Sequence, residues 1–590
     1  MKAIWGAAIV AIGSSAVMSA APKAEPLASP ELLRALDPSS RFANLCTGGK
    51  RGTMRAKLML AAAAVRPNAV GATPLYDGLG GVDVPVTTSN PLAQKYFNQG
   101  LGFAYGFNHA AAIASFREAQ RLDPGCAMCW WGEALAHGPN INAPMDAQAN
   151  ARAVEVLNRA RALLKRATPV EQALISALAR RYSPAADADR AALDAAYADA
   201  MLTAARTFPD HADLALLAAE AAMDTRPWDY WQADRRTPNP RIGEAVALVE
   251  RVLQRRPNYA QAAHLYIHLM ENGPDPKRAE AAADRLASPL APRAGHLVHM
   301  PAHIYYRLGR WKDSMRVNLA AVRADEAWIA ESGDKGLVRY GYYPHNVHFI
   351  VTSAQMAGVM PTAMREAGKL AKILDPAISS QVAWVHAVNA APFFTAAQFA
   401  PPKQILAMPR PDGRLPYAVA MRHYARALAY VQLRNRKGFD AEVGQLRALR
   451  TGHDWKGMID QGVPAPDLLQ LAETIAKARW AFASGRMNEA IGHYRKAVRI
   501  EEKVPYMEPP YWYYPVHQSL GAALYRSGRF SAAADAFSTA LAKAPNNGWA
   551  LYGLAATEHA TGQKIRAAAS TAALQRAWSG DPRWLRMDRL

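Results

Sequence analysis

A helix-pair repeat runs through this chain and leaves few folds open. From Asn90 onward apolar residues recur at three- and four-residue spacing, Gly or Pro falls at intervals, and no stretch alternates at period two long enough for a strand. The clearest unit is Leu520-Gly521-Ala522-Ala523-Leu524-Tyr525, then Gly528-Arg529-Phe530, Ala533, Phe537, Ala540-Leu541 and Pro545. This is the tetratricopeptide (TPR) pattern of two small-residue helices closed by proline. Further copies start at Ala478-Arg479-Trp480, at Ile304-Tyr305-Tyr306 and at Gly100, the last running to Pro124. One such unit cannot bury its own apolar face, so neighbours must stack. The expected fold class is therefore all-α, a TPR-like α-solenoid whose concave groove would receive a ligand.

Several function classes fall away on composition. After the first twenty residues no apolar run approaches the ~18 residues that cross a bilayer, which excludes an integral membrane protein. The three cysteines are too few for a disulfide scaffold or an all-thiolate metal site, so any metal must be held by His and carboxylate. The net charge is +20, but the basic residues are scattered as singles and pairs such as Arg180-Arg181 and Arg255-Arg256, without the run that marks nucleic-acid binding.

The N-terminus reads as an export signal: Lys2, an uncharged apolar stretch from Ala3 to Gly13, then small residues up to Ala21. The mature protein is expected in the periplasm or secreted, with no transmembrane segment. Residues 1–21 are assigned to the signal peptide and 22–75 to a linker, although Met54-Arg55-Ala56-Lys57 before an apolar run leaves a second start possible. N-terminal repeats are expected over 76–225, a central His-rich block over 226–400 and C-terminal repeats over 401–590.

The histidines carry the specific signal. Seven of 16 lie between His264 and His348, where an even spread would put about two. His264 and His268 stand four apart, as do His299 and His303; on a helix such pairs share a face and can grip one ion. The two pairs repeat at 35 residues, close to one TPR period, so they are expected to face each other across adjacent helices. His345 and His348 form a third pair behind Pro344, and Pro301 is placed to kink the second.

These six imidazoles are the candidate metal ligands. Glu271 is the candidate bridge or base, with His296 supporting it in catalysis. A set so poor in carboxylate suits copper, zinc or iron and argues against magnesium or calcium. Export leans toward copper, and the six-His inventory is similar in outline to the dinuclear copper sites of tyrosinases and haemocyanins, on a different architecture. One or two ions are expected.

His109, Asn140 and Asn142, from a loop rich in Asn, Gly and Pro, and Trp512, Tyr514 and His517, from an aromatic run, are the candidate substrate-binding residues. Cys126 and Cys129 are read as structural, since Trp130 stands where a haem attachment motif needs His.

The strings Phe107-Asn108-His109, Cys126-Ala127-Met128, Gly138-Pro139-Asn140-Ile141-Asn142, His299-Met300-Pro301-Ala302-His303, Pro344-His345-Asn346, Glu508-Pro509-Pro510 and Asn546-Asn547-Gly548-Trp549 give the chain a further likeness. It resembles a family of exported bacterial TPR proteins over most of residues 90–560. The resemblance implies an α-solenoid and carries no activity with it. From the residues themselves, the expected function is a metal-dependent oxidoreductase, with copper the favoured metal, acting on a small molecule for which an aromatic ring is one option. A periplasmic scaffold with protein partners on the repeat surface, or a metal chaperone, is the alternative. A zinc- or iron-dependent hydrolase is the third reading.

Overall fold

Asn90 opens the repeat array by accepting hydrogen bonds from Leu92 N and Ala93 N, and Pro91 occupies the first helical position, where a missing N–H costs nothing. The helix that follows, α1 (Pro91–Tyr105), packs on α2 (His109–Leu122), which Asn108 caps in the same way. The computed structural model describes residues 73–590 apart from positions 146, 186, 233, 235 and 289, and no strand occurs among the described residues. The expected export signal and nearly all of the expected linker lie outside them. No described helix is long and apolar enough to cross a membrane.

Each helix packs chiefly on the next, giving a TPR-like α-solenoid. One packing device appears at both ends of the array. Phe116 of α2 lies between Gly100 and Gly132, and a Cβ at Gly100 would stand only 2.7 Å from its ring, with one at Gly132 closer still. Near the C-terminus, Phe537 of one helix lies between Gly521 and Gly553 of its two neighbours, again with 2.7 Å for a Cβ at Gly521. Only glycine lets three helix backbones close on one ring.

The central helices are α3 (Ala260–Glu271), α4 (Gly295–His299), α5 (Pro301–Arg307), α6 (Trp311–Ser332) and α7 (Tyr343–Ala357). Pro301 interrupts the second histidine pair as expected, splitting α4 from α5. Met300 between them stays helical, at φ −52° and ψ −38°, so both histidines keep a common face.

The C-terminal repeats, including α8 (His517–Arg526), α9 (Phe530–Lys543) and α10 (Gly548–Ala560), dock back onto these helices. Trp311 Nε1 donates to Asn546 O (3.1 Å), Trp549 Nε1 to Gln355 O (3.0 Å) and Ser579 N to Ala357 O (3.1 Å). The apolar core comprises two large clusters and a small third, and α7 gives Phe349 and Met356 to one of the large clusters and Val347, Ile350 and Ala354 to the other. This docking leaves the central histidines in the interior. Cys126 and Cys129 are joined by a disulfide, both fully buried at the start of a helix, which fits a structural role.

Candidate metal centre

Two histidine triads meet in the centre of the fold. His264, His268 and His296 can bring one nitrogen each within 4.8 Å of one another, and so can His299, His303 and His345. All are buried except His345, which is half-buried. The triads adjoin, with ring centroids 6.1 Å apart for His268 and His303 and 6.3 Å for His296 and His299.

The neighbours of each ring fix which nitrogen faces inward. His264 Nδ1 lies 3.0 Å from Gln261 Oε1, His268 Nδ1 2.9 Å from Glu271 Oε1, and His299 Nδ1 2.6 Å from Asn318 Oδ1. His303 Nδ1 lies 2.6 Å from Glu271 Oε2 and 3.1 Å from Glu508 Oε2. The amides are oriented in turn, since Gln261 and Asn318 donate their nitrogens to Glu220 and to Ser314 O. Each Nδ1–H therefore donates to an oxygen and turns Nε2 toward the other rings, the arrangement that orients metal-bound imidazoles. The inward nitrogens crowd: His264 Nε2 is 3.1 Å from His296 Nε2, and His299 Nε2 is 2.8 Å from His303 Nε2. Two such lone pairs tolerate that distance only with a proton or a cation between them.

Burial, followed by the surrounding imidazoles, holds His264 and His296 well below the ordinary histidine range. Both are neutral at pH 7, the form that binds metal. For His303 burial also pulls downward, but Glu271 and Glu508 outweigh it and raise the pKa to about 9.

Backbone strain gathers around the first triad. Phe107, at φ 57°, sets its ring 4.7 Å from His264 and 5.3 Å from His296; Trp228, at φ 64°, meets His268 edge-on at 4.8 Å. Bulky residues enter the left-handed region at a cost of about 1–3 kcal/mol each, and such strain clusters at functional sites. A π-helical turn, Val338–Tyr342, stacks Tyr342 on His296 at 4.4 Å.

The remaining candidates divide. His348 belongs to neither triad: its Nε2 lies 2.7 Å from the Tyr513 hydroxyl. His296 takes a direct place in the first triad, 3.1 Å from His264 and 32 residues after it, so the register differs by about one helical turn from the 35-residue match. Glu271 does span the triads, touching His268 and His303 on their Nδ1 sides. Asn142 Nδ2 reaches the Tyr342 hydroxyl at 3.4 Å, one ring from His296. His109 and Asn140 pair with each other at 3.1 Å beside a cavity lined by Arg181 and Asp224, apart from the triads, and burial lowers the His109 pKa to about 4.

Trp512 and Tyr514 line a cleft of about 220 Å³, and Glu508 is among its other lining residues. His517 begins α8, 4.0 Å from Glu501, and is not among the residues that line it. Sequence reasoning missed Gln261, Asn318 and Glu508 as partners of the imidazoles. The first two stand among ordinary helix residues, and Glu508 lies 205 residues from His303.

No protein-family model matches the chain, and no curated protein matches it. Among solved structures it is similar to a human IFIT1 dimer with m7Gppp-AAAA, at 11% identity, 83% of this chain, 91% of that chain and a TM-score of 0.26. It is also similar to the APC/C hetero-tetramer Cut9-Hcn1 (14% identity, 82% and 96% of the two chains, TM-score 0.23). A third is yeast Tom70 (9%, 74% and 89%, 0.26). TM-scores this low leave the site to be read from its own geometry.

Proposed function

We propose that this chain is an exported TPR-like metalloprotein in which the two histidine triads hold a pair of copper ions, and that it is an oxidoreductase for a small organic molecule. The observation that carries the reading is the convergence of buried Nε2 atoms, 2.8 and 3.1 Å apart within the triads, while acceptors hold the Nδ1 atoms of four rings from behind. His264, His268 and His296 would hold one ion, and His299, His303 and His345 the other. An imidazole donor set suits copper; oxygen-seeking magnesium and calcium would find little here. Glu271 and Glu508 meet the rings on the Nδ1 side, which keeps the ligand set imidazole. Bound copper would supply one-electron steps, and the protein supplies a dry, pre-organised site.

A zinc-dependent hydrolase is the second reading, favoured by Glu271, His303 and Glu508, which can bring one ligand atom each within 4.8 Å of one another. Metal analysis of the purified protein separates the readings. Two copper ions per chain are expected, with one lost in His268→Ala, one lost in His303→Ala and both kept in His348→Ala. Zinc at the same stoichiometry would redirect the assignment to hydrolysis. Metal-free protein that captures partners through its repeats would leave a scaffold.

A further inference from the structure

The cleft beside Glu508 is built mainly from one segment, residues 504–515, and its lining includes Tyr506, Trp512 and Tyr514. Its volume of about 220 Å³ suits a single ring. A cavity of about 150 Å³ already takes benzene, so one substituted ring fits and a fused polycycle does not. Aromatic walls favour a flat, polarisable ligand over an aliphatic one of equal size.

Charge selects further. Two cations line the cleft. Lys543 is neutralised by Glu501 at 3.4 Å. Arg307 lies 5.5 Å over the Tyr506 ring, and its Nε is buried without a hydrogen-bond partner among the described residues. A guanidinium so placed favours a carboxylate. Glu508 also lines the cleft, and its Oε2 already lies 3.1 Å from His303 Nδ1. What it offers a ligand is a hydrogen-bond acceptor, not a site for a cation. Tyr506 lies under Arg307 and donates its hydroxyl to Glu271 O at 3.4 Å.

We propose that this cleft binds a monocyclic aromatic acid carrying a ring hydroxyl, with the carboxylate on Arg307, the ring against Trp512 and Tyr514 and the hydroxyl on Glu508. As an assignment of substrate it rests on the metal reading above; as a binding site it does not.

The test is a calorimetric titration of metal-free protein with 4-hydroxybenzoate, benzoate, phenol, 4-hydroxybenzylamine and cyclohexanecarboxylate. The hydroxybenzoate should bind tightest, at least tenfold above the amine and the cyclohexane acid. Arg307→Leu should weaken both benzoates tenfold or more and leave phenol unchanged, whereas Glu508→Gln should weaken only the hydroxylated ligands. Trp512 is core, so Tyr514→Ala, at a half-buried position, serves as the ring-wall variant and should weaken every aromatic. Equal affinity for all five compounds, or none that saturates, overturns the inference even in a protein that loads two ions. Selective binding in a protein that takes up no metal upholds the site and overturns only its assignment as the substrate site of a metal centre.

Discussion

Loading the second triad at pH 7 should expel about one proton from His303, whereas His264 and His296 of the first triad have none to give. His303 is held at a pKa of about 9 against the pull of burial, because Glu271 and Glu508 flank its Nδ1. About two units below that value nearly every molecule carries the proton, and an incoming ion must displace it. Apparent affinity for this ion then falls about tenfold, or about 1.4 kcal/mol, for each unit of pH below 9, and so about a hundredfold between pH 8 and pH 6. In the first triad His264 and His296 are already neutral.

Calorimetric copper titrations at pH 7 in two buffers of different protonation heat give the protons released per ion. The two ions should differ in release, with the second-triad ion giving up the His303 proton, and Glu508→Gln should reduce the larger number. Equal release by both ions, or none by either, would refute the assignment of the proton to His303. The metal-free protein offers a check of opposite sign. A raised pKa stabilises the fold fully below the unfolded value of 6.5, and that contribution is lost as pH rises through about 9, so melting temperature should fall over this range.

Asn318→Ala removes the acceptor behind His299, 2.6 Å from its Nδ1, and should weaken binding of one ion about 10–100-fold by metal titration while the other is unaffected. Gly553→Ala puts a methyl into the Phe537 ring and should destabilise by about 1–3 kcal/mol in urea unfolding, despite alanine's better helix propensity; no loss would mean that the packing is looser than described. His386 is buried, its Nε2 accepts from Tyr417 N at 3.3 Å, and burial lowers its pKa to about 4. Its contribution of about 3 kcal/mol should be present above pH 6.5 and be lost as pH falls toward 4, and His386→Gln should flatten acid unfolding over that window.

The all-α repeat fold was legible because helix periodicity, small-residue positions and closing prolines are local properties, each readable in a few dozen residues. The same holds for the pairs His264/His268 and His299/His303, since a shared helix face depends only on spacing. Helix register across repeats is less local. The 35-residue match pointed at His264 beside His299, whereas the backbone sets His296 opposite His264. His345 and His348 looked equivalent by spacing, yet one meets His299 and the other Tyr513, partners brought to α7 from distant parts of the chain.

The amino-acid order by itself determined that helices would stack and that imidazoles would gather on a few of them, because both follow from residues close together along the chain. The tertiary structure determined that the central histidines lie in the interior, that a segment from residue 504 onward reaches the centre, and that Glu508 stands beside His303 across 205 residues. Such contacts depend on the angles at which successive repeats pack, and those angles accumulate over the whole array from many small side-chain contacts that no short stretch encodes.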